Sequence, residues 1–460
     1  MPVNVAIIGG GISGLATAYY LGRYGVPSVI VERSSRLGGL IGTDVVQGCR
    51  LEAGPDSYLA AKPAVTDLSK ELGDLSREVI ESNDGARRVF IVRDGKLMAL
   101  PRGMVMMAPG EWGPLLRSPL LSSGTKLRML AETLLRPRER AGDVAAGEFV
   151  EDHFGREVVD YIAEPLLCGV YGGNARMLSA ESVLPRFVGY ERRYGSLIQG
   201  VRTESRIGTG QPLFLSFRDG MQQLTDALTG SIRENSRVVR AEATEVRKAA
   251  RRWRIEAGED SLTASHVVLA CAAHVCGQLL GNTAPQLAGE LDAIPYSSAI
   301  LVTLVFDRHR LGHPLNGFGF LVPGKERRTI TAATWTSTKF PSRVPSNLSA
   351  LRAFIVGPQA LELMSAGDET LIELVRKELL RLMGIDTAPL LSTVHKWPKS
   401  MPQYVVGHLD RVREIHEHVA QLEGLHVVGN AYEGVGIPDC VRLAKEAAQR
   451  ISTRLQNSCC

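Results

Sequence analysis

The turn Gly9-Gly10-Gly11-Ile12-Ser13-Gly14 follows the largely apolar run Val3 to Ile8 and opens a helical stretch that reaches Tyr24. A second apolar run, Val29 to Val31, closes on Glu32, 18 residues past Gly14. The spacing Gly9-x-Gly11-x-x-Gly14 puts a residue without a side chain at a tight turn, another where backbone approaches a pyrophosphate, and a third where helix packs on strand. Free N–H groups at the helix start then face the phosphates. A carboxylate at Glu32 accepts hydrogen bonds from ribose hydroxyls and disfavours a 2′-phosphate. Strand, helix, second strand and acid therefore predict a βαβ unit that holds a dinucleotide.

Arg36-Leu37-Gly38-Gly39-Leu40 and Gly54-Pro55-Asp56-Ser57 come next. Two glycines after a positive residue let backbone lie against a flat ligand, and the Gly-Pro-Asp-Ser turn presents N–H groups without bulky cover. Either is also readable as a plain loop; the position just beyond a dinucleotide unit favours a second, aromatic part of a cofactor. Val65 to Leu72 reads as helix, and Arg87 to Leu97 as a hairpin turning at Asp94-Gly95. From Pro101 to about Ser205 helical periods dominate, including Gly124 to Leu135 and Ala145 to Glu164. A helix starting at Gly220 buries Met221, Leu224 and Leu228, and strands follow at Val238-Val239, Trp253 to Ile255 and His266 to Cys271. From about Pro295 the runs Ala299 to Phe306, Gly317 to Val322, Thr329 to Trp335 and Leu351 to Val356, with a helix from Glu369 to Met383, predict an antiparallel or mixed sheet.

The end of the chain returns to nucleotide-domain character. Leu425 to Gly429 reads as a strand, Asn430 to Gly436 as a glycine-bearing loop, and Pro438 as the first turn of a helix, where a missing N–H costs nothing. Val441, Ala444, Ala448, Ile451 and Leu455 form one stripe of that helix. The predicted fold is α/β: a discontinuous Rossmann-like nucleotide domain (1–75, 215–285 and 405–460), a mixed-sheet substrate domain (76–100, 206–214 and 286–404) and an inserted helical domain (101–205). Two glycine-rich strand-to-helix junctions exceed what a nicotinamide needs at one site and point to FAD. The first would hold pyrophosphate and ribose. The second would set a helix N-terminus near the isoalloxazine, favouring negative charge there by about 0.3 to 1 kcal/mol, up to ~2 when partly buried.

Composition narrows the alternatives. Fifty-three basic against 49 acidic residues give +4, too balanced to argue for nucleic acid. Clusters such as Arg136 to Arg140 and Arg251 to Arg254 read as solvated faces, with anionic lipid in reserve. The seven cysteines are scattered without a CxxC pair, so neither a disulfide framework nor a metal site is expected. The N-terminus has no basic leader and runs straight into the fingerprint, which suits a cytoplasmic protein. No stretch of about 18 apolar residues marks a transmembrane helix. Peripheral attachment at the cytoplasmic membrane stays open, because Met104 to Leu121 is rich in Met and Leu and broken by three prolines. That segment suits a bilayer interface, the roof of an apolar pocket or a loop cluster packed into the core.

Taken together, Gly9 to Gly14 with Glu32, Arg36-Leu37-Gly38-Gly39, Gly54 to Ser57 and Glu433-Gly434-Val435-Gly436-Ile437-Pro438-Asp439-Cys440 resemble the flavin oxidases related to monoamine oxidase and phytoene desaturase. Glu164 to Gly173, Gly317 to Pro323, Trp397-Pro398 and Met401 to His408 resemble the porphyrinogen oxidases of haem synthesis in particular. The resemblance covers essentially the whole chain. It implies non-covalent FAD reoxidised by oxygen, hydride transfer from a porphyrinogen's methylene bridges, three rounds that remove six electrons, and release of hydrogen peroxide. No catalytic side chain is needed beyond the flavin.

Carried over residue by residue, the resemblance implies FAD contacts at Gly9, Gly11, Ile12, Ser13, Gly14, Glu32, Arg33, Arg36, Gly38, Gly39, Gly54, Pro55, Asp56, Ser57, Val239, Trp397, Gly429, Asn430, Gly436, Ile437 and Pro438. It implies substrate contacts at Arg88, which would bind a propionate, with Arg87 as fallback, and at Gly169, Phe318, Gly319, Leu321 and Ile355. Gly319 would let the macrocycle approach backbone, and Ile355 would form a wall. Cys440 does not fall where covalently flavinylated relatives place their cysteine, and His408 reads as structural. Gly54 to Ser57, Trp335 with Lys339-Phe340-Pro341 and Ser400 to Tyr404 look more like the Gram-positive bacterial type, whose substrate is coproporphyrinogen III. The protoporphyrinogen IX enzymes share the core motifs. An amine oxidase or carotenoid desaturase on the same scaffold, and a non-catalytic carrier like the GDP-dissociation inhibitors, are the competing readings; the oligomeric state is open between monomer and homodimer.

Overall fold

A computed structural model describes residues 2–204 and 212–457. The chain forms two compact units, Met1–Glu81 with Leu213–Pro295 and Asp410–Cys460, and Ser82–Pro212 with Tyr296–Leu409. Most of the segments predicted as helical and substrate domains share the second unit, but 76–81 and 286–295 fall in the first, and 405–409, predicted for the nucleotide domain, falls in the second. Part of the predicted 206–214 segment, with Cys459 and Cys460, lies outside the described residues.

In the first unit, parallel strands run in the order Ser236–Arg240, Ser28–Glu32, Pro2–Ile8, Asp260–Leu269 and Leu425–Val427. Order thus reverses at Pro2–Ile8, where an open α/β sheet forms its ligand crevice beyond the strand ends. Central strands read as continuous apolar runs because both faces are covered; Val5, Ala6, Ile7, Ile30 and Val268 are fully buried. The early half of Asp260–Leu269 also pairs with Arg252–Ala257, which pairs with Ala243–Ala249 in antiparallel fashion. The helix Ile12–Arg23 is buried from Ser13 to Tyr20 and beyond because it lies between the sheet and the helix Ile437–Asn457. The stripe Val441, Ala444, Ala448 and Ile451 faces that core, and Leu455 packs at its margin.

The second unit is built on a mixed seven-stranded sheet. Its order is Leu391–Pro402, Tyr296–Asp307, Leu348–Val356, Ala332–Trp335, Gly319–Leu321, Val89–Arg93 and Lys96–Ala99. One pair, Gly319–Leu321 with Val89–Arg93, is parallel. The helix Asp368–Met383 covers one face through Leu371, Val375 and Leu379, against Ile300, Val302, Phe320 and Ile355. The predicted hairpin forms, with Asp94 at φ 52° and Gly95 at φ 71°, the left-handed pair of a two-residue turn whose twist suits the strands.

Two elements depart from the sequence pattern. The edge strand Leu391–Pro402 carries two prolines and few apolar residues; Pro398 is tolerated because the ladder shifts register between Ala299 and Ser297, opposite 398–400. The single helix predicted from Ala145 to Glu164 is divided. Gly155, at φ 86°, ends Ala146–Phe154, and a π-turn at Val159–Ala163 precedes Glu164–Tyr171. Met104 to Leu121 is mixed: Met107, Ala108, Leu115 and Leu120 are fully buried, as core packing requires, whereas Met106, Leu116 and Pro119 are exposed.

Candidate functional site

The helix Ile12–Arg23 starts at Gly11 with no side-chain cap and no acid in its first turn, so its leading N–H groups are left for a ligand. The three glycines have different reasons. Gly9 has φ 106°, and a Cβ there would lie 2.8 Å from Ala270 O; a Cβ on Gly14 would lie 1.9 Å from Gly9 O. Both are required by the chain's own packing. A Cβ on Gly11 would meet nothing nearer than Gly39 Cα at 3.9 Å. An open Cβ position beside uncapped N–H groups is a cradle that fits the pyrophosphate of FAD.

Glu32 ends its strand at the cradle's lip. Its Oε2 accepts from Gly10 N at 2.6 Å and its Oε1 from Ser34 N at 2.8 Å, which fixes the carboxylate while leaving lone pairs for ribose hydroxyls. Val239 lies level with Val31 on the neighbouring strand. Gly38 bridges to Gly11, and its N–H donates to Gly10 O at 2.8 Å, so the second glycine motif is laid directly on the first. Gly39, at φ 58°, is exposed there.

The two arginines expected to touch the cofactor also have partners within the chain. Arg36 donates to Ile41 O and Gly39 O, both at 2.7 Å, and so shapes its own loop. Arg33 is exposed and faces Glu242 at 3.4 Å. Gly54 is a packing glycine, because a Cβ would lie 1.9 Å from Leu40 O. Beside half-buried Pro55, Asp56 accepts from Ser57 Oγ at 2.6 Å, and its carbonyl accepts from Ser216 Oγ at 2.7 Å.

At the second junction Gly429, at φ 147°, and Asn430 leave the strand Leu425–Val427, and Gly436, Ile437 and Pro438 start the last helix. Asp439, which the sequence reading passed over, organises this turn. It accepts from Gly436 N at 3.3 Å and from Lys62 Nζ at 2.6 Å, and its Cγ leaves no room for a Cβ on Gly434. An acid in a helix's first turn is the signal that marks it. Burial pushes the Cys440 thiol up to about 11, against a partial offset from the Ser13 hydroxyl, so it stays protonated and does not act as a nucleophile.

In the second unit Arg88 is exposed, and its carbonyl accepts from Phe318 N at 2.7 Å. Gly169 touches Leu321, whose Cδ2 would lie 3.4 Å from a Cβ on the glycine. Leu321 is half-buried and shares a sheet face with Ala332, Phe354 and Leu301. Gly319 lies on this face too, but it is glycine because a Cβ would lie 2.0 Å from Ala333 O on the paired strand. Phe318 is buried at the strand's start.

Ile355 is not on this face. Strand alternation turns its side chain into the core beneath Asp368–Met383, where it is fully buried, and it is Phe354 whose side chain lies on the face of Leu301 and Ala332. Trp397 belongs to the second unit, where it packs with Cys168, Ala299, Leu301 and Val356. Sequence reasoning missed Arg352, buried in the same cross-strand row as Gly319 and lying 4.9 Å over the Phe354 ring. His408 is buried and stacked on Tyr404 at 3.9 Å, in keeping with a structural role.

The sequence pattern of the family described as flavin containing amine oxidoreductase matches residues 12–452. The chain belongs to that family. It is an FAD-dependent oxidoreductase, which removes the non-catalytic carrier reading. Among its relatives, the coproporphyrinogen III oxidase of Staphylococcus aureus is 31% identical, covering 99% of this chain and 100% of that one. The protoporphyrinogen oxidase of Bos taurus is 30% identical and covers 99% of both. A solved structure from Exiguobacterium sp. 255-15, provisionally named a protoporphyrinogen oxidase, has 32% identity and a TM-score of 0.89, over 98% of this chain and 99% of that one. Tyr432 is the one tyrosine within residues 429–440, and it is buried.

Proposed function

We propose that this chain is an oxygen-dependent porphyrinogen oxidase of haem synthesis, and that its substrate is coproporphyrinogen III. The observation that carries this is end-to-end similarity to coproporphyrinogen III oxidases at 30 to 31% identity, joined to an uncapped glycine cradle for FAD. Bound non-covalently, FAD would supply the hydride acceptor for an oxygen-dependent reaction whose co-product is hydrogen peroxide. Gly11, Gly38 and Gly39 would hold the pyrophosphate against the start of Ile12–Arg23, and Glu32 would orient the ribose. The N-terminus of Ile437–Asn457, whose turn Asp439 holds, would favour negative charge on the bound flavin. Arg88 pairs with a propionate, while Phe318, Leu321 and Gly169 position the flat apolar ring.

The purified protein is expected to be yellow, and a colourless protein that takes up no added FAD would sink this reading. Growth of porphyrin fluorescence in oxygen on coproporphyrinogen III, compared with protoporphyrinogen IX, tests the substrate; strong preference for the latter overturns it. That second reading is favoured by protoporphyrinogen oxidases at 26 to 30% identity over 99% of the chain.

For the enzyme's setting, we propose a cytoplasmic protein that touches the membrane surface. No helix among the described residues is long and apolar enough to cross a membrane. However, the end of Ser123–Glu132 and the following turn expose Leu127, Leu130, Leu134 and Leu135, with Leu134 81% exposed, next to Arg128 and Arg136. An amphipathic surface of this kind suits anionic headgroups. Leu134→Glu is expected to abolish co-flotation with anionic vesicles.

A further inference from the structure

The loop that leaves Asp260–Leu269 packs against both glycine junctions. Ala270 O and Cys271 N would lie 2.8 and 3.3 Å from a Cβ on Gly9, and Cys271 O 3.9 Å from one on Gly429. The helix Ala273–Leu280 follows, with Ala272 as its N-cap. Cys271 and Cys276 therefore flank the helix start in the positions where a residue before the cap packs on the fourth residue inside. Their sulfurs lie 3.4 Å apart, and the Cys276 thiol also points at Cys271 O at 3.6 Å.

We propose that Cys271 and Cys276 form a dithiol that hydrogen peroxide oxidises to an intramolecular disulfide. Cys271 is half-buried, whereas Cys49, Cys168, Cys276 and Cys440 are buried, so among the described cysteines it is the most accessible to a small oxidant. The hydrogen bond to Cys271 and full burial push the Cys276 thiol up and keep it protonated, so the more accessible Cys271 sulfur is the one that attacks. It attacks one peroxide oxygen, the O–O bond breaks, and the other oxygen leaves as water. The Cys276 sulfur then attacks the sulfenic sulfur and the S–O bond breaks, with the thiol proton leaving in a second water. Two thiols and one peroxide give one disulfide and two waters. The sulfurs must close to about 2.05 Å, a small movement for a residue at a helix start.

Peroxide generated by the enzyme itself as the oxidant rests on the oxidase reading; the chemistry of the pair does not. Tryptic cleavage isolates both cysteines in residues 255–308, apart from every other cysteine. Wild-type holoenzyme treated with one equivalent of hydrogen peroxide is expected to lose two hydrogens from this peptide, and dithiothreitol to restore them. Cys276→Ala is expected to accumulate a dimedone-trapped sulfenic acid at Cys271, and Cys271→Ala to show neither product. An unchanged wild-type peptide, or oxidation first at Cys168 or Cys440, overturns the proposal. In a second arm, turnover with coproporphyrinogen III and oxygen should produce the same mass loss, suppressed by catalase. Absence of porphyrin in that arm overturns the oxidase reading and leaves the added-peroxide result to judge the dithiol.

Discussion

Lys62 Nζ lies 2.8 and 2.6 Å from the two carboxylate oxygens of Asp439, joining the early part of the first unit to the first turn of its last helix. The Asp439 side chain is 10% exposed and that of Lys62 47%, so the pair is a partly screened one, worth about 0.2–1 kcal/mol. The carboxylate's place at a helix N-terminus adds about 0.3–1 kcal/mol. Asp439→Asn should therefore lower the Tm of flavin-free protein by only a few degrees, while FAD dissociates several-fold faster because the Gly434 to Gly436 turn loses its support. Lys62→Met should do less of both. Scanning calorimetry and flavin release by fluorescence separate the two effects, and an Asp439→Asn protein with unchanged release would remove Asp439 from the site.

Gly11 and Gly14 predict opposite kinds of failure. Gly11→Ala adds a methyl that meets no protein atom within 3.8 Å, since Gly39 Cα lies at 3.9 Å, so the flavin-free fold and its Tm should survive while FAD binding is lost. Gly14→Ala drives a methyl to 1.9 Å from Gly9 O, so the helix must leave the strand and the protein should express poorly. Circular dichroism with the flavin-to-protein absorbance ratio checks both.

Arg88→Ala should raise KM for a propionate-bearing porphyrinogen without changing FAD content. A charge-assisted hydrogen bond is worth about 1.5–3 kcal/mol, which is roughly 10- to 100-fold in kcat/KM. Arg88→Lys should recover part of the loss. Steady-state kinetics that match wild type would exclude Arg88 from substrate binding.

These predictions also mark what the sequence made legible. Both ends of the nucleotide unit were readable, because turn glycines, capping positions and a buried stripe are local patterns. Face and partner were not. Ala299 to Phe306 and Leu351 to Val356 are largely apolar on both sides, so the run identifies a strand without saying which way Ile355 points, and only its packing beneath Asp368–Met383 settles it. Arg36 reads as a cation next to a cofactor, yet its reach to Ile41 O depends on how the loop closes. Cys271 and Cys276 look scattered until the helix start brings their sulfurs together.

Acid sensitivity should centre on Glu157. Burial opposes its ionisation, but hydrogen bonds from Thr125, the Ser122 hydroxyl and backbone, and Arg93 outweigh that and hold its carboxyl at about 2. The unfolded chain, with a value of about 4.3, takes up the proton first as pH falls. The stabilisation is therefore complete well above pH 4 and is lost as pH falls towards 2. Glu157→Gln should lower Tm at pH 7, and its melting curve should converge on that of wild type near pH 2. A Tm difference independent of pH would mean that packing rather than charge is lost.

Ile355 and Leu321 provide the sharpest test of how the second unit's sheet is used, because they lie on opposite faces. Ile355 is fully buried under Asp368–Met383, so Ile355→Ala should cost about 2–5 kcal/mol of stability with KM little changed in the folded fraction. Leu321 is half-buried against Gly169, so Leu321→Ala opens less of a cavity and should cost less stability. If the macrocycle rests on that face, Leu321→Ala raises KM, and Phe354→Ala, two strands further on, should raise it as well. Denaturant unfolding and KM for each variant distinguish the faces. A KM defect in Ile355→Ala with normal stability, beside a silent Leu321→Ala, would place the substrate on the other side of the sheet.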